Sequence, residues 1–265
     1  MKSISRVTRK FIYALLFLAP TSVFSEASDY NMPVGVTEVS KEIFDLHMLI
    51  MWICVWIGVV VFGIMFYSLF KYRKSTGAKA SKIDDHFWLE ITWTVAATLI
   101  LVGMAIPSTT VMIKAYDDRE GDINIMVTGY QWKWEYKYLE DDISFFSNLS
   151  TSQEQIDNDI PKGEFYLSEV DEPLVIPINK RIRFLITGND VIHSWWVPDF
   201  AVKQDAVPGF INTAWTNVPK PGIYRGACTE LCGIKHAFMP VVVRAVEQEE
   251  YDAWVVEKIA LAEAE

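Results

Sequence analysis

Residues 46–70 read LHMLIMWICVWIGVVVFGIMFYSLF, which is 25 consecutive residues without Asp, Glu, Lys or Arg. Residues 91–113 are 23 more with the same property. As an α-helix, each stretch is long enough to cross the roughly 30 Å hydrocarbon core of a bilayer. Two buried helices of a soluble protein are excluded by this length and by the absence of a charged face. We therefore predict two transmembrane helices, at about residues 43–70 and 87–113.

The segment between the two apolar stretches is basic. Its charged residues are Lys71, Arg73, Lys74, Lys79 and Lys82 against Asp84 and Asp85. Lys and Arg are enriched in cytoplasmic loops, so we expect this loop to be cytoplasmic. The N-terminus and everything after Ile113 then lie outside.

The first 25 residues have the layout of a signal peptide. Basic residues from Lys2 to Lys10 precede an apolar run at residues 11–19, and Pro20 and Ser25 precede a cleavage point. The apolar run is too short to span a bilayer. The alternative is an uncleaved membrane anchor. We exclude residues 1–25 from the fold and treat 26–113 as an N-terminal segment with a helix hairpin.

Residues 114–265 form the predicted exported domain, and they are acidic. They hold 14 Lys and Arg against 26 Asp and Glu, within a chain of 265 residues that is 51% hydrophobic. The composition excludes a disordered, collagen-like or disulfide-dense chain. The negative charge disfavours nucleic acid and favours a basic protein partner reached by electrostatic steering.

The exported domain has the pattern of an all-β fold. Aromatic and polar residues alternate over residues 130–138, which predicts one strand with five aromatic side chains on one face: Tyr130, Trp132, Trp134, Tyr136 and Tyr138. Further strands are expected at residues 174–178, 181–187, 191–197, 213–218, 223–226 and 241–246. Short strands separated by turn residues indicate a Greek-key sandwich or barrel. We expect residues 141–162 to form a long polar loop and the tail from Glu247 to form an amphipathic helix.

A cluster of metal-ligating residue types lies in GACTELCGIKHAFMP, residues 226–240. Cys228, Cys232, His236 and Met239 follow one another at spacing C-x3-C-x3-H-x2-M. His193 is the one other histidine in residues 114–265. Soft sulfur and imidazole, with a thioether as a weak axial donor, are the ligands of copper electron-transfer sites.

Three other interpretations of this cluster are open. Cys228 and Cys232 could form a disulfide outside the cytoplasm, although this leaves His236 and Met239 unexplained. A structural zinc site could use two Cys and two His, although a thioether is a poor zinc ligand. Met239 and His193 could be core residues. Two thiolates can bridge two copper ions, each capped by one His, so the paired cysteines favour a binuclear copper centre.

Two membrane helices followed by this copper-binding domain resemble subunit II of the haem–copper cytochrome c oxidases, over about residues 31–246. The resemblance implies a cupredoxin-like fold that holds a dicopper CuA centre. The ligands it implies are bridging Cys228 and Cys232, terminal His193 and His236, axial Met239, and the main-chain carbonyl of Glu230.

The resemblance implies further roles for four residues. The Glu230 carboxylate would bind magnesium at the contact with subunit I, Trp132 would be where electrons enter from cytochrome c, and Glu90 would feed a proton channel from the cytoplasmic side. Asp190 would be a docking acid. Each role has a plainer alternative. Glu230 could be a solvated loop residue, and Trp132 could be core packing within a row of aromatic side chains. Glu90 could be favoured at the helix start by the helix dipole, and Asp190 could belong to a solvated charged face. Lys137 stands where many relatives of the family have an acidic residue. Glu135, Asp141 or Asp142 could take the place of that missing acid.

The function implied is that of a subunit of a proton-translocating cytochrome c oxidase in the inner (plasma) membrane, with the copper domain on the periplasmic side. Electrons would pass from cytochrome c to haem in subunit I, where oxygen is reduced to water. Subunit III and the lipid bilayer are further expected partners, and haem is expected only in subunit I. A quinol-oxidase subunit II and a stand-alone copper carrier are the alternatives. His47 and His86 have no role assigned beyond sitting at interfaces.

Overall fold

A computed structural model describes residues 30–79 and 85–264. The expected signal peptide and two charges of the basic loop, Lys82 and Asp84, lie outside the described residues. Two long helices come first: α1 at Glu38–Lys71 and α2 at Phe87–Ala115. None of the most apolar window of either helix is buried within the chain, and both are long and apolar enough to span a membrane. α1 begins about five residues earlier than the predicted span.

The helix ends have side-chain caps. Thr37 caps α1, because its hydroxyl accepts a hydrogen bond from the Ser40 amide at 3.0 Å. His86 caps α2, because its Nδ1 accepts from the Leu89 amide at 3.2 Å. The structure thereby gives His86 a local structural role, whereas His47 lies within α1 and is half-buried.

The outer end of the helix hairpin is joined to the domain that follows. The Val36 amide donates to the Asp199 carbonyl at 2.9 Å, and the Trp215 indole donates to the Lys114 carbonyl at 3.0 Å. Gly35 has φ +70°, and a Cβ there would lie 2.6 Å from the Asp199 carbonyl oxygen, so the close approach requires glycine.

The domain after α2 is a β-sandwich of two five-stranded sheets, in the orders β3-β2-β1-β5-β8 and β4-β10-β9-β6-β7. Neighbouring strands are antiparallel except for the parallel pairs β1 with β5 and β4 with β10. The strands are β1 Ile123–Tyr130, β2 Lys133–Tyr138, β3 Ile143–Ser147, β4 Leu174–Pro177, β5 Ile182–Gly188, β6 His193–Val197, β7 Val202–Ala206, β8 Asn212–Thr216, β9 Gly222–Cys228 and β10 Pro240–Val246. The predicted class, a two-helix hairpin followed by an all-β Greek-key sandwich, is confirmed.

Aromatic side chains from both sheets fill the core. Phe184 of one sheet packs against Trp195 of the other with ring centroids 4.7 Å apart. The Trp195 indole donates to the Tyr136 hydroxyl at 3.2 Å. Both tryptophan and tyrosine are fully buried, so each polar atom needs the other as its partner.

The prediction of one strand over residues 130–138 is wrong. The stretch is the end of β1, a turn at Gln131 and Trp132, and β2. Trp134, Tyr136 and Tyr138 share the buried face of β2, but Tyr130 lies on the outer face and packs against Phe146. Period-two alternation continues across a tight turn, so it did not reveal where one strand ended.

Three further segments differ from expectation. Residues 141–162 are not one loop, because β3 pairs with β2 there and a short helix, α3 Gln153–Ile156, follows. β7 had no prediction. The tail forms α4, Gln248–Ala264, in which Tyr251 and Trp254 are buried while Ile259 and Leu261 are exposed. The apolar contacts of this helix with the sandwich come from its first half, and Lys258 adds an ion pair to Glu172 at 2.9 Å.

Candidate metal centre

Two cysteines lie at one end of the sandwich, at the end of β9 and on the loop that follows it. Cys228 is the last residue of β9, where its amide donates to the Met239 carbonyl at 3.0 Å. Cys232 follows four residues later, and the two sulfurs lie 3.8 Å apart with no bond between them. Both side chains are buried. The turn of the loop therefore points two soft donors at the same space.

Each cysteine has its own histidine neighbour. The Sγ of Cys228 lies 4.0 Å from Nδ1 of His193, the first residue of β6. The Sγ of Cys232 lies 3.5 Å from Nδ1 of His236. His193 is separated from the loop by more than 30 residues, and the pairing of β6 with β9 brings it there, with Trp195 opposite Cys228.

Two more donors complete the cluster. The thioether sulfur of Met239 lies 3.9 Å from the Sγ of Cys232, and Met239 is 1% exposed. The Glu230 carbonyl oxygen lies 3.4 Å from the Sγ of Cys228. The five side chains and one carbonyl named from the sequence thus meet at one place in the fold.

The two thiols have opposite electrostatic environments. Burial raises the pKa of Cys228, but hydrogen bonding to His193 and to nearby backbone groups outweighs burial, and the pKa is lowered. Burial and then the negative charge on Cys228 raise the pKa of Cys232. Cys228 therefore loses its proton first.

His193 is held in position from two sides. Its Nε2 lies 2.9 Å from Oδ1 of Asp190, which leaves Nδ1 directed at Cys228. A Cβ on Gly129 would lie 2.8 Å from the imidazole Cδ2, so only glycine leaves room for the ring. Burial acts to lower the pKa of His193, but hydrogen bonds to Cys228 and Asp190 outweigh it and raise the pKa.

Both oxygens of Asp190 are used locally. Oδ1 also accepts from the Val191 amide at 2.7 Å, and Oδ2 accepts from the Gln131 amide at 2.7 Å. Although burial raises the pKa of Asp190, these hydrogen bonds and the one to His193 lower it overall. This residue, predicted from the resemblance to be a docking acid, is placed to orient a histidine.

Trp132 lies in the turn between β1 and β2, beside the metal-ligand loop. Its indole donates to the Cys232 carbonyl at 3.2 Å, and the Gln131 side-chain amide donates to the same oxygen at 2.8 Å. A Cβ on Gly233, which has φ +120°, would lie 3.1 Å from the indole. Trp132 is partly exposed, so it connects the loop to the surface.

Neither Gln131, Gly129 nor Gly233 was singled out from the sequence for these contacts. The segment GYQW, residues 129–132, drew attention only for its tryptophan. A glycine next to a candidate ligand in the sequence can indicate a close approach of another side chain. The sequence does not show which side chain that is, because it comes from a different strand or turn.

The other predicted carboxylates make no contact with the cluster that the described residues show. The Glu230 side chain is exposed on the loop, and Glu90 is exposed in the first turn of α2. Among the acids near the aromatic stripe, Glu135 accepts from the Tyr130 hydroxyl at 2.9 Å. Asp142 pairs with Lys137 at 3.0 Å.

The donor set fits copper. Two thiolates, two imidazoles and a thioether are soft or intermediate ligands, which copper electron-transfer sites prefer over hard oxygen ligands. Within residues 30–79 and 85–264, one group of three His, Cys or acidic residues lies close enough to hold an ion: His193, Cys228 and Cys232. For magnesium at Glu230, this chain offers one exposed carboxylate, so other ligands would have to come from a partner.

Comparisons with known proteins bear on the family to which the chain belongs. A family model described as cytochrome c oxidase subunit II, periplasmic domain, matches residues 123–246. The transmembrane-domain model of the same subunit matches residues 25–111.

Two curated relatives and one solved structure illustrate the similarity. The chain is 38% identical over 224 residues to a probable cytochrome c oxidase subunit 2 of Rickettsia bellii, covering 84% of this chain and 82% of the relative. It is 36% identical over 235 residues to the subunit 2 of Cereibacter sphaeroides, covering 83% and 77%. The crystal structure of the periplasmic domain of subunit II (CoxB) of Bradyrhizobium japonicum is 38% identical, with a TM-score of 0.49, and covers 54% of this chain and 98% of that one.

Proposed function

The chain belongs to the cytochrome c oxidase subunit II family, and from that premise we propose that it holds a dicopper CuA centre that takes electrons from cytochrome c and passes them to haem in subunit I. Membership makes it a membrane protein with a soluble domain on one side and a component of a haem–copper oxidase complex. Oxygen reduction to water and coupled proton pumping would take place mainly in subunit I.

The observation that carries the proposal is the convergence of six donors from two separate segments, residue 193 and residues 228–239. His193 comes from β6, Cys228 from the end of β9, and the others from the loop before β10. A blue-copper site needs one cysteine, so the second thiol 3.8 Å from the first supports two bridging sulfurs.

The side chains would share the work as follows. Cys228 and Cys232 would bridge the metals, His193 and His236 would each ligate one through Nδ1, and Met239 and the Glu230 carbonyl would be weak outer donors. When bound, the copper would supply a one-electron carrier at this end of the β domain. The rigid strands around these ligands limit the movement that accompanies each transfer.

Trp132 would be where electrons enter. Its partly exposed indole is hydrogen-bonded to the carbonyl of Cys232, which gives a short path of bonds from the surface to a ligand. The acidic charge of residues 114–265 supports docking of a basic cytochrome c through electrostatic steering.

The remaining assignments rest on family membership and position. The exposed carboxylate of Glu230 would reach a magnesium ion shared with subunit I. Glu90, in the first turn of α2 next to the basic loop, would feed a proton channel. Lys71, Arg73 and Lys74 support a cytoplasmic loop, so we assign the β domain to the periplasmic side of the inner membrane. Subunit III would be a further partner.

The test is copper stoichiometry with electron paramagnetic resonance on the full chain, purified in detergent, reduced and loaded with copper. Two coppers per chain, with hyperfine structure from one electron shared over two nuclei, are expected. One copper with a mononuclear signal would favour a single-copper carrier, and no bound copper would rule out the metal assignment.

The role of Trp132 has its own test. Trp132→Phe should lower the rate of electron transfer from reduced cytochrome c while copper content and spectrum stay unchanged. Trp196→Phe is the matched control, because Trp196 is a partly exposed tryptophan of β6 outside the proposed path. An equal loss in both variants would contradict the assignment.

A further inference from the structure

Two cavities at the outer end of the helix hairpin share residues. The first, which we call the head cavity, has a volume of about 480 Å³ and lies between the first turns of α1 and the β domain. The second, the tail groove, also of about 480 Å³, lies between α1 and α2. Glu42 and Asp45 line both. Each volume is in the range of small-molecule sites, and the shared residues place the two cavities next to each other.

The tail groove is apolar where it enters the hairpin. Leu46 and Leu49 line it from α1, and Pro107 and Val111 line it from α2. Because the helices are antiparallel, these positions all lie deeper in the span than Asp45 and Lys114. Leu49 is 46% exposed, so the described chain leaves this groove open to a hydrocarbon chain.

The head cavity combines carboxylates with aromatic rings. Glu38 and Asp45 line it from α1, and Phe200 and Trp215 line it from the β domain. Arg181 stacks 4.0 Å from the Trp215 ring centroid and fixes the indole. Carboxylates next to aromatic rings are the usual environment of an ammonium group.

The charges in and around the head cavity suit a zwitterion. Glu42 is already paired with Lys114, whereas no ion pair to Asp45 is found among the described residues. Lys41 lines the same cavity and can meet a phosphate.

Thr216, also lining the head cavity, is 2% exposed, and its hydroxyl has no hydrogen-bond partner in the described part of the chain. A buried hydroxyl without a partner is costly, and a polar head group beside it would offer an acceptor. The head cavity thus has a polar group that the protein itself leaves unsatisfied.

We propose that the chain binds one phosphatidylethanolamine molecule of the outer leaflet across both cavities. Its ammonium group pairs with the carboxylates of Asp45 and Glu38. Its phosphate lies near Lys41, and one acyl chain lies in the tail groove. An ammonium with three N–H donors suits carboxylates better than a methylated head group, and the excess of carboxylates disfavours an anionic lipid. The inference does not depend on copper, so it stands or falls separately from the proposed function.

The experiment places the full chain in nanodiscs made of equal parts phosphatidylethanolamine and phosphatidylglycerol, extracts it into mild detergent, and counts retained lipids by native mass spectrometry. About one phosphatidylethanolamine per chain should be retained in preference to phosphatidylglycerol. Asp45→Asn should lower that retention about tenfold, since it removes a charge-assisted hydrogen bond, and Asp45→Glu should keep it.

The matched control is Asp118→Asn, which neutralises an exposed carboxylate just after α2 that lines neither cavity. Val111→Trp should fill the tail groove and abolish retention while circular dichroism of the β domain is unchanged. Equal retention of both lipids would overturn the proposal, as would equal retention by Asp45→Asn and Asp118→Asn. The purified oxidase complex is tested in the same way, and absence of the lipid there would overturn the proposal for the assembled protein.

Discussion

The helix hairpin and the β-sandwich bury their apolar residues in opposite ways. In the sandwich, side chains such as Trp195 and Ile186 are fully buried against residues of the same chain. In the hairpin, Ile64 and its neighbours are mostly exposed. The sandwich therefore completes its own core, whereas the hairpin depends on lipid and partner subunits for burial.

This difference bears on where a metal site can be built. Ligands that must hold their positions through repeated electron transfer need neighbours fixed by packing. The sandwich offers such neighbours from both sheets, so His193 can be held by Gly129 of β1 and by Asp190. The hairpin anchors the domain to the membrane and carries no comparable cluster among its described residues.

The largest effect is expected from removing a bridging thiol. Cys232→Ser should abolish the two-copper spectrum and lower oxidation of cytochrome c by more than about 100-fold, beyond the loss typical of outer-shell changes. Cys54→Ser, in the exposed surface of α1, is the control and should leave both unchanged. Copper analysis and steady-state kinetics measure the outcome, and two coppers retained in the Cys232 variant would contradict it.

Replacing an isoleucine by alanine should change the free energy of unfolding much more in the sandwich than in the hairpin. Ile186→Ala, in the core of β5, should destabilise the β domain by about 2–5 kcal/mol. Ile64→Ala, 64% exposed in α1, should change it by less than about 0.5 kcal/mol. Denaturant unfolding of the chain in detergent measures both. Similar losses would mean that the hairpin and the sandwich unfold as one unit.

A smaller effect is expected from crowding His193. Gly129→Ala places a Cβ 2.8 Å from the imidazole, so the ring must shift. Copper affinity should fall about 10–100-fold, as for other changes that misorient a ligand, with an altered spectrum. Gly163→Ala is the control, because its nearest new contact is an ordinary 3.6 Å. An unchanged affinity in Gly129→Ala would show that the ring has room.

Asp190→Asn separates positioning from docking. If Asp190 orients His193, the variant should lower copper affinity by about tenfold and change the spectrum. If it is mainly a docking acid, the KM for cytochrome c should rise while the copper spectrum stays constant. Asp142→Asn, at an exposed acid paired with Lys137, is the comparison.

The smallest effect concerns Lys235, whose ammonium lies 5.9 Å from the Trp132 ring centroid. The positive charge of Lys235 repels a basic electron donor at the surface where electrons are proposed to enter. Lys235→Gln should raise the association rate a few-fold at low ionic strength, and the gain should disappear at high salt. Lys180→Gln, just before β5 and at the opposite end of that strand from His193, should raise the association rate less. Stopped-flow kinetics against ionic strength measures both, and an equal gain would indicate only a net-charge effect.

Features that depend on local sequence could be predicted without knowing the fold. Charge-free runs of 25 and 23 residues predicted the helices, because crossing a bilayer requires a fixed length of apolar chain. The spacing of Cys228, Cys232, His236 and Met239 pointed to most of the proposed ligand set, because one short stretch of chain carries them all.

Properties that depend on pairing between distant segments were not accessible. β3 and β7 have ordinary local sequences and become strands through their partners, and the turn at Trp132 is hidden by an unbroken alternation. Asp190 lies only three residues before His193, but the sequence does not show that its carboxylate faces the imidazole.

The sequence by itself determined the membrane hairpin, the all-β class of the domain and the residue types of the proposed metal ligands. The tertiary structure alone decided that Gly129 and Asp190 hold His193, that Trp132 contacts the ligand loop, and that two cavities meet at Asp45. Composition and spacing act along the chain, whereas all of these contacts except that of Asp190 with His193, which are three residues apart, join residues that lie far apart in sequence and that only the packed sheets and helices bring together.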